Sequence, residues 1–301
     1  MVCKIQYGVT IMSGLALGLV LFAALFHAGW NFLAKKSLKK IAFIWWFLLI
    51  ATIGYLPMFI YFWPGLDVPA VGWICIIVTG ILHALYFWFM GGAYERGDLS
   101  LVYPLSRGSG PLLVPILAVI FLQEQLSLIG AIGIALVVLG IYTIHLKSFT
   151  VDSFFEPLRA MRGSASIWAL CTGGTIAAYS LVDKVGVGLV SPPAYIYLMF
   201  VISLLLLSPY VLTRERAALK LEWQVNRGPI LIDGFLVLFT YMMILFAFRL
   251  SKVSYVVAAR EVSIVFSALL GIFWLKEAHA PQKIAGSVLI ALGVVFIGLS
   301  K

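Results

Sequence analysis

Ten stretches of the chain are long apolar runs almost free of charge, at 11–34, 41–63, 71–93, 99–121, 126–146, 164–182, 192–212, 229–248, 253–275 and 284–300. A helix rising about 1.5 Å per residue needs roughly 20 residues to cross ~30 Å of hydrocarbon. Each run is near that length and the connections are short. The pattern predicts an all-α integral membrane protein with ten transmembrane helices. The first run begins after Lys4 and could be taken for a signal peptide. It is too long for one, lacks a small-x-small cleavage site and is followed by nine further runs, so it reads as the first helix.

Composition agrees: 63% of residues are hydrophobic, 11% are charged, and mean hydropathy is +1.08. A net charge of +9 would suit a nucleic-acid partner, but its distribution points elsewhere. Fourteen of the 21 Lys and Arg residues fall in connections after odd-numbered runs, and five, Lys184 and Lys252 among them, fall on the other side. The remaining two, Arg107 and Arg260, lie inside runs. That bias puts the odd connections in the cytoplasm and both termini outside. The basic balance reports topology, and no nucleic-acid partner is expected. Cys3, Cys75 and Cys171 stand singly, which predicts neither a disulfide framework nor a metal site. No cofactor is implied.

The second half overlays the first. At a constant shift of 153, Arg107 falls on Arg260, Glu124 on Glu277, Gly133 on Gly286 and Gly140 on Gly293. Earlier in each half, Lys35 matches Lys184 and Trp30 matches Tyr179 at a shift of 149. Five helices per copy force the copies into opposite orientations, so the prediction is two inverted five-helix repeats, 1–146 and 164–301, joined by a linker at 147–163. That layout places a site near the midplane between the halves. The linker, KSFTVDSFFEPLRAMRG, has the makings of an amphipathic surface segment.

An arginine near the bilayer centre costs ~2.5–3.5 kcal/mol on insertion scales, so it needs a partner or a wet cavity. Arg107 lies about eight residues, or roughly 12 Å, into its run, and Arg260 lies equally far into a run entered from the opposite side. The two converge near the midplane. Pro104, Gly108, Gly110 and Pro111 weaken the helix around Arg107, and broken backbone at membrane depth is tolerated where it lines a cavity. A planar guanidinium there suits a carboxylate or phosphate. Glu261 is the first candidate for its acidic partner and Asp183 the second. Helical spacing groups other polar residues: His27 with Asn31, Thr79 with His83, Tyr86 and Met90, Thr175 with Tyr179 and Asp183, and Arg260 with Ser263 and Ser267. Glu261 stands about 100° from the last stripe.

The expected substrate-binding residues are therefore Arg107, Arg260, His27, Asn31, Trp30, His83, Tyr86, Tyr103 and Tyr179, with Glu261, Asp183 and Asp233 as coupling or gating groups. Asp233, one turn into its run, is also placed to reach headgroup water. Glu124 and Glu277 sit in loops, where capping or gating suits them better than substrate contact. Trp45, Trp46 and Trp63 read as interfacial.

Several segments carry a family resemblance: LFAALFHAGWNFLAKK (21–36), AYERGDLSLVYPLSRGSGPLL (93–113), LQEQLS (122–127), AAYSLVDKVG (177–186), AAREVSIVFSALLG (258–271) and LKEAHA (275–280). With these the chain resembles the EamA-type members of the drug/metabolite transporter superfamily over essentially its whole length. Within them it is most similar to a branch associated with phosphonate utilisation. The resemblance implies ten helices in two inverted repeats around a central cavity, transport of small metabolites without ATP, and a bacterial inner (plasma) membrane. It also implies cytoplasmic termini, opposite to the charge bias.

The expected function is a secondary transporter moving a small polar metabolite, anionic or zwitterionic, by alternating access. Its partners would be that substrate and membrane lipid, with room for a homodimer. A multidrug or lipid-linked-carrier exporter of the same fold is the alternative. No HExxH, GxSxG, Asp-rich or P-loop pattern occurs, so an enzyme is not expected.

Overall fold

Each apolar run is realised as a helix or a pair of helices, because lipid offers no partner for a backbone amide and only intrasegment hydrogen bonds satisfy it. The computed structural model describes residues 12–35, 37–97, 99–146, 148–159, 163–273 and 280–300. Within these, the side chains of residues 31, 32, 34, 35, 99–101, 103, 104, 156–159, 270–273 and 280 are outside the description.

In chain order the helices are α1 (Gly14–Lys35), α2 (Lys40–Gly54), α3 (Leu56–Phe62), α4 (Ala70–Arg96), α5 (Leu99–Phe121), α6 (Leu128–Ile144) and α7 (Val151–Arg159). There follow α8 (Ser164–Leu189), α9 (Pro192–Arg214), α10 (Arg216–Leu250), α11 (Val253–Arg260), α12 (Val262–Phe273) and α13 (Ala280–Leu299). Among the described residues, five helices are long and apolar enough to cross a membrane alone: α4, α8, α9, α10 and α13. The pair α2 and α3, bent by 45° at Tyr55, makes a sixth. Shorter apolar stretches lie in α1, α5 and α6. The linker contains α7, whose Phe154 and Phe155 are exposed.

The breaks fall where local chemistry allows them, and not always where proline predicts them. The α2–α3 bend precedes Pro57 in the first turn of α3, a position that needs no amide donor. α10 has non-helical backbone at Asn226, three residues before Pro229, which cannot supply the hydrogen bond to the preceding turn. The helix around Arg107, by contrast, is not broken: α5 runs through Pro104, Gly108, Gly110 and Pro111 to Phe121. The interruption falls in its counterpart instead. Glu261 separates α11 from α12, its N–H donating to the Ala258 carbonyl and its own carbonyl accepting from Ile264 N, both three residues apart. The expectation of a broken helix at Arg107 is corrected accordingly.

α6 and α13 pack antiparallel through four glycines. A Cβ on Gly133 would lie 2.7 Å from the Gly293 carbonyl oxygen, and one on Gly293 would lie 2.6 Å from that of Gly133. Two turns along, the corresponding distances are 2.7 Å from Gly140 to Gly286 and 2.5 Å back. Small residues let membrane helices approach backbone to backbone, where van der Waals contact is the main source of association.

Two charged side chains tie helix ends together. Glu124, buried after α5, accepts from Val253 N (2.7 Å), Ser254 N (3.3 Å) and Ser254 Oγ (2.7 Å). It therefore caps the N-terminus of α11, as a carboxylate should. Glu277 lies outside the described residues. Lys184 is not in a connection as its charge-bias assignment required. It is buried in α8, its ammonium donating to the Phe248 carbonyl and to the Ser251 carbonyl at 2.7 Å. The end of α10 exposes unpaired carbonyls that attract a cation.

Trp45 is likewise no belt residue, being buried with Nε1 donating to Ser208 Oγ at 2.9 Å. Trp46 is half-buried, bonded to the Leu219 carbonyl, and Trp63 is exposed.

Because the glycine seam is closed by backbone, neither helix can yield to a side chain. Gly140→Val or Gly286→Val should lose at least ~1–3 kcal/mol and lower the melting temperature of the purified protein. Gly174→Ala on α8, with nothing within 4 Å of its would-be Cβ, should stay within about 0.5 kcal/mol of wild type.

Candidate functional site

The side chains at the centre come from seven helices, α9 contributing only Phe200. α1 supplies His27 and Trp30, α4 supplies His83 and Tyr86, α5 supplies Arg107, α8 supplies Tyr179, α10 supplies Val237, Thr240, Tyr241 and Ile244, and α11 supplies Arg260. Together with Ala23, Phe87 and Phe200 they line one cavity of about 50 Å³. At roughly 10–15 Å³ per water this is space for three to five waters.

Seven of the nine expected binding residues are thus brought together. The side chains of the other two, Asn31 and Tyr103, are outside the description. Sequence reasoning missed Thr240 and Tyr241. The available signal was Asp233, which stands two turns before Thr240 and so on the same face of α10.

The arginines come from α5 and α11 and share one carboxylate. Arg107 Nη2 lies 3.2 Å from Glu261 Oε2, and Arg260 Nε lies 3.7 Å from Glu261 Oε1. Both arginines and Glu261 are buried. Adjacent residues on a helix do not face each other, so the Arg260–Glu261 contact is made by the reach of two long side chains at the tightened turn between α11 and α12. Two guanidiniums against one carboxylate leave a net positive wall. Nε and Nη2 of Arg260 are buried and have no hydrogen-bond acceptor.

Asp183 is not the second partner for an arginine by hydrogen bond; three hydroxyls hold it. Thr79 Oγ1 (2.5 Å) and Tyr195 OH (2.9 Å) donate to Oδ1, and Tyr241 OH donates to Oδ2. The Thr79 hydroxyl spends its hydrogen on Asp183, so toward His83 Nδ1 at 3.1 Å it only accepts. The Thr79 carbonyl, 2.9 Å from the same nitrogen, also accepts. Nδ1 of His83 must therefore carry a hydrogen. The ring stacks on Tyr179 with centroids 4.1 Å apart and meets Tyr241 edge-on at 5.3 Å. Asp183 is completely buried behind this aromatic wall and orients it.

Asp233 does not reach headgroup water. It sits in the middle of α10 with no exposed surface, and neither carboxylate oxygen has a hydrogen-bond partner. Among the described residues no three His, Cys, Asp or Glu side chains group as a metal site.

A central polar cavity in an apolar helical chain has a match among known proteins. The model of the EamA-like transporter family matches residues 14–146 and again 163–299. The chain belongs to the EamA-like transporter family. An uncharacterized transporter of Archaeoglobus fulgidus is 25% identical over 255 residues, covering 83% of this chain and 84% of the relative. A crystal structure described only as that of a protein superposes with a TM-score of 0.67, covering 94% of this chain and 97% of the other at 14% identity. This last likeness concerns the fold alone. The family membership and the apolar helices make the chain an integral membrane protein of a transporter family; neither match points to a phosphonate branch.

Asp183 anchors the cavity wall, so its loss should be felt as orphaned donors. Asp183→Ala removes the acceptor of the Thr79 and Tyr241 hydroxyls and leaves Tyr195 OH only the Cys75 carbonyl at 3.5 Å, and should cost more than ~2 kcal/mol at ~1–3 kcal/mol for each lost acceptor. Asp183→Asn, which keeps acceptor capacity in the same shape, should cost less than half of that. Thermal or denaturant unfolding in detergent reads the difference; equal losses would show that the hydroxyl cradle is not what Asp183 supplies.

Proposed function

We propose that this EamA-like protein is a secondary transporter that moves a small anionic or zwitterionic metabolite by alternating access between two inverted five-helix repeats, 1–146 and 164–301. A bacterial inner membrane is the setting this reading assumes. The observation that carries it is the pair of buried guanidiniums facing the cavity, with Arg260 donors lacking an acceptor. A carboxylate or phosphate group is the chemistry that answers such donors, and two arginines answer it with planar forks.

Two features support the repeat arrangement. The family model matches the chain twice. The glycine seam is reciprocal as well: Gly133 meets Gly293 and Gly140 meets Gly286, and these partners exchange when each glycine is replaced by its counterpart at the shift of 153. A pseudo-twofold axis between the copies produces that reciprocity.

The cavity in this conformation holds a few waters, well short of the ~300–1,000 Å³ of typical ligand sites. Substrate therefore enters only when the helices part, as alternating access requires.

The test uses purified wild type, Arg107→Gln and Arg260→Gln, with thermal stabilisation by matched panels of anionic, zwitterionic and cationic metabolites. Anions or zwitterions should stabilise the wild type, and each variant should weaken the apparent affinity at least tenfold, about 1.4 kcal/mol. Saturable flux of the stabilising metabolite into liposomes containing only this protein should follow. Ligand shifts that survive in both variants would make the arginine pair structural. Stabilisation by bulky apolar cations would favour a multidrug exporter, and stabilisation by lipid-linked carriers a flippase.

A further inference from the structure

Three buried acids lie within or near the cavity, and the structure treats them differently. Glu261 is neutralised by two arginines. Asp183 accepts from three hydroxyls. Asp233 has neither: it is fully buried and both oxygens are without a hydrogen-bond partner.

Its position ties it to the site. Asp233, Val237, Thr240 and Ile244 follow one another at helical spacing along a single face of α10, and the last three line the cavity. Thr240 Oγ1 is also buried without a partner. Beyond the kink at Asn226, the preceding part of α10 carries the buried Glu222, hydrogen-bonded to Asn226 at 2.7 Å. Polar groups thus recur along α10, with one bare carboxyl among them.

We infer that Asp233 is the proton-binding group of this protein, taking up and releasing one proton as the cavity changes access. This rests on the transporter reading above. The physical reason is the cost of a buried charge without a counter-charge or hydrogen bond. A carboxyl in such a place is stable only as COOH; to become COO⁻ it must meet water or a cation. Opening of the cavity supplies the water, so access and proton release are linked. Hard cations gather several oxygen ligands, and among the described residues no three His, Cys, Asp or Glu side chains group as a metal site, so a proton is the occupant inferred.

The charged and titratable groups of the packed helices, among the described residues, are placed as follows. Next to Asp233, Gly234 packs on Ile50 and the Phe47 carbonyl of α2, and Tyr55 bonds the Phe235 carbonyl. Lys40 bonds Ser37 at the start of α2. On α1, His27 lines the cavity, and the side chain of Lys35 is outside the description. On α8, Tyr179 stacks on His83, Asp183 holds its hydroxyls, and Lys184 caps α10. On α9, Tyr195 bonds Asp183, Tyr197 stacks on Phe59, Tyr210 bonds Glu215, and Arg214 ends the helix. On α11, Arg260 pairs with Glu261.

The experiment is labelling of the full chain, in detergent and in liposomes, with dicyclohexylcarbodiimide, an apolar reagent that attacks protonated carboxyls, followed by peptide mass spectrometry across a pH series. Asp233 should be the main modified residue, with labelling falling about tenfold per pH unit on the alkaline limb. Asp233→Asn should remove that label while keeping the melting temperature. Labelling at Glu261 or Asp183 instead, or Asp233 labelling indifferent to pH, overturns the assignment.

A second arm uses liposomes with an entrapped pH-sensitive dye and the metabolite found by thermal stabilisation. Wild type should change the internal pH on metabolite addition and Asp233→Asn should not. Metabolite flux with no pH change in the wild type overturns proton coupling and leaves the transporter reading standing. Absence of flux for every metabolite defeats the transporter reading itself, whatever the labelling result.

Discussion

Two guanidiniums and one carboxylate meet where water is scarce, and the surrounding helices are arranged so that this is possible. Arg107 and Arg260 sit on helices from different halves of the chain, and each is intolerable in an apolar interior alone. Glu261 makes the pair tolerable from the tightened turn where α11 ends and α12 begins, its carboxylate lying between the two guanidiniums. In an unbroken helix the two adjacent side chains would diverge by about 100°. Both side chains are long enough to span that angle, so one carboxylate addresses its neighbour Arg260 and, across the helix interface, Arg107 on α5. The start of α11 is held in turn by Glu124 from the end of α5, so the same two helices are fastened at a second level.

The other two acids show how the same side-chain chemistry is set to different tasks by its surroundings. Asp183 is held by donors from α4, α9 and α10 and so fixes four helices, α8 included, around the aromatic wall of the cavity. Its two oxygens are shared among three hydrogen bonds, which fixes the carboxyl group in place. Asp233 shares α10 with Tyr241, two turns away, yet no donor reaches it. A polar group kept bare in a membrane interior is a cost that packing alone does not explain.

The helices, the paired arginines and the acid between them were legible from residue pattern because the bilayer imposes a strict code. Apolar runs must be helical, and a charge inside one must be paired. Seven side chains predicted for the cavity line it: three-residue spacing puts His27 with Trp30 on α1 and His83 with Tyr86 on α4, and Tyr179 and the two arginines join them from α8, α5 and α11. What escaped was set by contacts between distant segments. The break was expected at Pro104 and Pro111, yet α5 absorbs both, while Glu261 interrupts its helix with no proline or glycine at hand. Lys184 looked like a loop charge because nothing in its neighbourhood shows that the carbonyls at the end of α10, some 64 residues later, lie beside it. Thr240, Tyr241 and Tyr195 were passed over as ordinary membrane-helix residues, since a single hydroxyl carries no address until its acceptor is known.

Rigid and yielding parts of the molecule are also separated. At the glycine seam of α6 and α13, carbonyl oxygens lie where side chains would be, so sliding either helix means a backbone collision, and the seam moves as a unit or not at all. Two of the helices that bound the cavity have hydrogen-bond ladders that are already interrupted: α10 at Asn226, and α11 at its junction with α12 at Glu261. Bending at these places breaks few additional bonds, whereas bending an intact span exposes amide groups to lipid. On the proposed transporter reading, a cavity of about 50 Å³ has to grow severalfold to admit a ligand of ordinary size. The break closest to the arginines is the one at which their shared carboxylate is mounted, so widening the cavity there and loosening the Arg107–Glu261–Arg260 contacts are one movement.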